Sequence, residues 1–223
     1  MQSGYRFDLF QADEPRVGII IGTGPSLTAG QLAQVRHLRK FGANRAYEFG
    51  CDVVHGCNYQ FWDYYWPAVA ETGAAMWTSR PELNGKYPGL NYIQERWEQG
   101  LSTDPSYICA HHGTGPQLVN LAYHYGCEVM LLIGWDMKYP PRADRYNYIG
   151  KRHYFGEYPE SMQHWPIGIG AGGELDGLIA EMATIHPEDY GIEIWNCTPG
   201  SAMRCFPFRS LSESLSDLGL SRE

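Results

Sequence analysis

The chain has 223 residues and a formal net charge of −8, and it is 43% hydrophobic, 14% aromatic and only 19% charged. This composition supplies one sizeable core and excludes a disordered polymer, while the acidic balance argues against tracking a duplex DNA backbone, which needs a basic face. No apolar run reaches the length of a bilayer span.

The opening segment, MQSGYRFDLFQADEPR, has neither a basic n-region nor an apolar h-region, so it does not read as a signal peptide and a cytoplasmic location is expected. VGIIIG at 17–22 is a continuous apolar run ending in glycine, which predicts a strand buried on both faces. Thr28 then reads as the N-cap of a helix that places Leu32, Val35 and Leu38 on one face and stops at Gly42. Short strands are predicted at 51–56 (CDVVHG), 74–79 (AAMWTS) and 106–111 (SYICAH). A second helix runs from about Pro116 to Tyr125, with Leu118, Leu121 and Tyr125 inward and Gly126 as its stop. VMLLIG at 129–134 is the most hydrophobic strand. Residues 138–172 are rich in Tyr, Pro, Gly and His and lack periodicity, which predicts an irregular lid or cover. A helix from Glu174 to about Ile185 and a strand at 192–197 (IEIWNC) close the series. Strands alternating with helices predict one α/β domain over 1–223, a three-layer Rossmann-like fold with a mainly parallel sheet.

Cys51, Cys57, Cys109, Cys127, Cys197 and Cys205 stand singly, without a CxxC, and several lie in apolar runs. They read as structural thiols rather than a zinc or redox site.

Three turns carry chemistry. Gly22-Thr23-Gly24-Pro25-Ser26-Leu27 follows a strand and precedes a helix, where glycines admit a ligand to the backbone and helix amides suit phosphate. It is neither a dinucleotide fingerprint nor a Walker A, and an empty tight turn is its plain alternative. His111-His112-Gly113-Thr114-Gly115 repeats the pattern before the second helix, and adjacent histidines point apart, which argues against a shared metal. In Gly134-Trp135-Asp136-Met137 the carboxylate ends a strand, where it contacts a ligand or bonds its own turn. Two such Gly-rich turns in one parallel sheet predict a nucleotide-like anionic ligand at the strands' carboxyl ends. His153 and His164, in the cover segment, are candidate general acids or bases and are equally readable as structural histidines.

IIGTGPSL, GCNYQFW, HHGTGPQLVNLAYHYGCEVMLLIGWDM and IWNCTPGSAMRCFPF, in this order over roughly residues 17–208, resemble a phage-associated group related to the MptE-like (DUF115) proteins. Their order is also similar to that in the bacterial sialyltransferases of glycosyltransferase family 42. The resemblance implies that Gly22, Thr23, Gly24, Pro25 and Ser26 cradle the nucleotide phosphate or ribose and that Asn58 reaches the nucleotide. Gly113, Thr114 and Gly115 match the second turn, and Gly134 and Asp136 the third. Tyr139 matches a phosphate-contacting tyrosine, and His164 the general base, with His153 its rival. The implied activity is transfer of a sugar, with a CMP-sugar favoured, from a nucleotide-linked donor to an acceptor hydroxyl, with no obligatory metal. MptE-like relatives imply an alternative, an ATP-dependent pyrophosphokinase acting on a small alcohol such as a pterin. That reaction requires magnesium, for which Asp136 and Asp52 are the candidate carboxylates. A nucleotide-binding protein without catalysis is the third reading. Phage association would make the location a host cytoplasm, and self-association into a homo-oligomer stays open.

Overall fold

The computed structural model describes residues 7–109, 113–141, 149–159 and 171–222. A seven-stranded parallel sheet is built from β1 (Val17–Ile21), β2 (Arg39–Ala43), β3 (Val53–His55), β4 (Ala75–Thr78), β5 (Leu90–Tyr92), β8 (Val129–Ile133) and β9 (Glu193–Asn196). Its order is β5-β4-β3-β2-β1-β8-β9. Two further strands, β6 (Gln94–Arg96) and β7 (Tyr107–Cys109), form a separate parallel pair. The helices are α1 (Ala29–Gln34), α2 (Tyr59–Glu71), α3 (Thr114–His124), α4 (Ala171–Met182) and α5 (Leu211–Asp217).

Alternation along β1 explains the layers. Ile20 packs with Leu118, Leu121 and Met182 of α3 and α4 on one face of the sheet. Ile19 and Ile21 pack with Phe61, Trp62 and Leu211 of α2 and α5 on the other. Helices on both faces of a parallel sheet give the expected three-layer α/β fold, and its strands are apolar on both sides for the same reason. No helix among the described residues is long and apolar enough to cross a membrane.

Several elements differ from the expectations. The helix after Thr28 ends at Gln34, and 39–43 is β2. Gly42 is no helix stop, because a Cβ there would lie 2.6 Å from Cys51 Sγ, so the residue serves the close approach of β2 to the following turn. Thr28 does cap α1, accepting from Gln31 N while Gln31 answers in a capping box. The strand at 107–109 lies outside the main sheet, paired with β6. Helix α2 carries Pro67 and an aromatic run, YQFWDYYW, with Phe61, Trp62, Tyr65 and Val69 buried. Within the cover segment, the described residues 138–141 and 149–159 contain no helix or strand. All six cysteines are free.

Candidate functional site

Strand order reverses at β1: the chain leaves it for β2 on one side and returns to β8 on the other. Ile21 is in register with Ile133, so the turns after β1 and β8 emerge side by side, where open parallel sheets bind ligands.

These turns interlock. Gly22 N donates to Ile133 O (2.9 Å) and Gly24 N to Gly134 O (2.8 Å). Ser26 donates to the Asp136 carboxylate twice, from its amide (3.2 Å) and from its hydroxyl (2.8 Å). A Cβ on Gly24 would fall 1.9 Å from Asp136 Oδ2. Gly24 therefore makes room for the carboxylate rather than for a ligand, and both donors of Ser26 face the same acceptor. Asp136 is 7% exposed, and burial raises its pKa above the usual carboxylate value against the opposing Ser26 bonds. Gly134 and Met137 take left-handed conformations, φ +70° and +51°, at either end of this turn. The TPGSAM segment braces it: Trp135 N donates to Thr198 Oγ1 (2.9 Å), and Ser201 Oγ donates to Trp135 O (2.6 Å).

Beside the interlocked turns lies a half-open crevice. Gly22, Thr23, Gly24 and Pro25 form one wall, Gly115 at the start of α3 another, and Asp136, Lys138, Tyr139, Arg152 and His153 the rest. Three of the expected turns thus meet. Gly113, with φ +126°, opens the 11-residue helix α3, and as a glycine it supplies no side-chain cap to the first amides. Thr114 turns away, its hydroxyl 3.1 Å from Cys57 Sγ. Helix α1 spends its first amides on its own capping box, leaving α3 as the better anion donor.

His153 sits over the crevice. Its Nδ1 is 3.3 Å from Thr23 Oγ1, and its ring lies edge-on to Tyr158 with centroids 5.1 Å apart. Burial, followed by the Arg152 charge, lowers its pKa to about 4, so the imidazole is neutral near pH 7. Lys138 Nζ donates to Gly200 O (2.6 Å), and Arg152 pairs with Glu157 (2.8 Å). His164, His111 and His112 lie outside the described residues. Asn58 does not line the crevice: its Oδ1 accepts from Gln60 N (2.9 Å) as the N-cap of α2. Asp52 precedes β3 at the opposite end of the parallel strands, where Lys40 N (2.8 Å) and Arg39 (3.3 Å) bind its carboxylate.

Lys138 and Arg152 of the crevice wall, and Asn44 beside it, escaped the sequence reading. Asn44 follows β2, next to the crevice-lining Ala43, in a left-handed conformation (φ +51°). Its Oδ1 is buried without a hydrogen-bond partner among the described residues. A strained residue with an orphaned acceptor beside a crevice is a candidate ligand contact. Asparagine directly after a strand was the available signal, hidden because β2 itself was read as helix.

A second histidine, His55, is fully buried, with Nδ1 3.1 Å from Trp77 O and Nε2 2.6 Å from Gln117 Oε1. Ser79 Oγ donates to the same Gln117 oxygen (2.9 Å), and Gln117 Nε2 donates to Glu95 (2.8 Å). This network pins the first turns of α3 to the ends of β3 and β4. Searches against family models, curated proteins and solved structures found no match to the chain.

Proposed function

We propose that the chain is a nucleotide-sugar-dependent glycosyltransferase, moving a sugar from a donor, with a CMP-sugar favoured, to an acceptor hydroxyl. The observation that carries the reading is the meeting of a neutral imidazole, His153, with the uncapped start of α3, Lys138 and Tyr139 at one strand-order reversal. Glycosyl transfer needs the leaving phosphate stabilised and the acceptor deprotonated. The phosphate lies against the first turn of α3, with Lys138 and Tyr139 facing it. Donation from Nδ1–H of His153 to Thr23 Oγ1 leaves Nε2 as the proton acceptor. The phosphate charge draws the low imidazole pKa back toward neutrality, where a base works best. Asp136 locks the two turns.

The magnesium-dependent pyrophosphokinase alternative is less well supported. Of its two candidate carboxylates only Asp136 reaches the crevice, and Asp52 is engaged at the far end of the sheet. A thermal-shift series with CMP, UDP, GDP and ATP, each with and without magnesium, tests the reading. CMP or UDP should raise the melting temperature without metal. A hundredfold excess over Kd contributes about 2.7 kcal/mol, roughly 5–10 °C for a chain of this size. A rise only with ATP and magnesium favours the kinase, and no rise with any nucleotide overturns the proposal. A CMP or UDP rise without turnover of any nucleotide sugar leaves a binding protein.

A further inference from the structure

The segment carrying His153 is fastened to the domain by groups that the chemistry above does not use. Phe155 stacks on Phe49, with centroids 5.0 Å apart and ring planes at 17°, and Tyr154 meets Phe49 edge-on at 5.2 Å. The guanidinium of Arg45 lies 4.3 Å above the Phe155 ring and is itself held by Glu48, Nε to Oε1 2.8 Å. Both Arg45 and Phe49 belong to the short helical turn Asn44–Phe49 that follows β2. On the other side, Tyr154 N donates to Thr23 O (2.8 Å). His153 is the residue before this double attachment, so its position follows from it.

We propose that Arg45 and Phe49 are positioning residues, an aromatic latch that fastens residues 152–158 across the crevice and sets His153 against Thr23. The meaning of this for catalysis rests on the transferase reading, but the latch itself does not. Stacked and edge-on aromatic pairs with a cation above them have strong orientational preferences, so the latch fixes a direction as well as an attachment. Released from it, the segment would keep the Thr23 contacts and the packing of Tyr158 but lose the grip on residues 154 and 155, and water would reach the imidazole.

The readout is the titration of the His153 ring, followed by NMR on the full chain and assigned by comparison with His153→Gln. The groups facing this ring are Thr23 on the β1 turn, Tyr158, Arg152 and Glu157 on its own segment, and Arg45 on the latch. Because Arg45 carries charge, the deciding variants are the neutral ones, Phe155→Ala and Phe49→Ala, with Phe49→Tyr as the conservative rescue. The wild-type midpoint near 4 should rise toward 6.5 in both alanine variants and stay low in Phe49→Tyr. If the transferase reading holds, kcat should fall with the same variants while KM stays nearly constant. Phe155 lies on the latched segment itself, so its variant decides the matter even where Phe49→Ala fails to fold. An unmoved midpoint in folded Phe155→Ala overturns the latch whatever the activity. A raised midpoint in a protein that turns over no nucleotide sugar upholds the latch and overturns the transferase reading instead.

Discussion

His55 and His153 are both held near pKa 4, and burial is the first cause in each. They differ in what their nitrogens meet. In the sealed region under α3, His55 has oxygen partners at both nitrogens and no exposure. In the crevice, His153 meets Thr23 Oγ1 at Nδ1 and faces open volume. A lowered pKa thus reports burial, whereas reactivity needs in addition a free valence beside space for a substrate. One histidine holds α3 in place, and the other lines the crevice onto which the start of α3 opens.

The comparison breaks most sharply by exchange. His153→Ala should lower turnover of a CMP-sugar about 10²–10⁴-fold with nucleotide affinity nearly constant, as expected for loss of a general base. His55→Ala should do the reverse, keeping the crevice chemistry per folded molecule while costing about 2–4 kcal/mol through a cavity and the lost imidazole contacts to Trp77 O and Gln117 Oε1. Melting curves and single-turnover rates on both variants check this, and equal stability losses with intact turnover would erase the distinction.

Gly24→Ala should destabilise by about 3 kcal/mol, because its Cβ meets the Asp136 carboxylate and the Gly134 carbonyl. Pairing it with Asp136→Ala should recover part of the loss, and a denaturant double-mutant cycle should show coupling of about 0.5–3 kcal/mol. Strict additivity would mean that the turns are not interlocked.

Stability should also fall in acid. Both histidines have folded-state pKa values below the ordinary 6.5, so their contribution is complete above 6.5 and is lost as pH falls toward 4. For fully buried His55 the loss approaches about 3 kcal/mol, and His55→Gln should flatten that part of a urea-midpoint profile. Asp136, whose pKa is raised, acts in the opposite sense: its contribution is complete below 3.8 and declines as pH rises through the raised value. The smallest effect is expected at Asn44. Asn44→Gly keeps the left-handed backbone, so stability should hold while nucleotide affinity, read by calorimetry, drops by about 0.5–1.5 kcal/mol.

The sequence made the architecture legible where burial is two-sided. VGIII and VMLLI have no alternation because helices cover both faces, and the pair that defines the crevice was readable from them. Strand β2 was not, since RKFGA opens with two cations. Lys40 is nevertheless 7% exposed, with Nζ donating to Arg36 O (3.1 Å) and Leu38 O (3.0 Å), a solution that no pattern of apolar residues announces. Missing β2 also concealed Asn44 and the latch. The glycines of the first turn were readable as a site, but the reason for Gly24 was not, because the atom it avoids lies 112 residues along the chain on Asp136. The resemblance assigned Asn58 to the nucleotide, and the helix it caps was not legible, because α2 opens on an aromatic run with an internal proline rather than a clean helical period.

The central claim is that a nucleotide occupies the crevice between the turns of β1 and β8. Amide shift mapping of the isotope-labelled full chain during titration with CMP tests it most directly. The largest changes should fall on Thr23, Gly115, Lys138, Tyr139 and His153, which surround the crevice. Residues of the hollow at the opposite end of the strands, His37, Arg39 and Leu220, should stay still. Changes gathered at that far hollow, or none around the crevice at saturating CMP, would contradict the account.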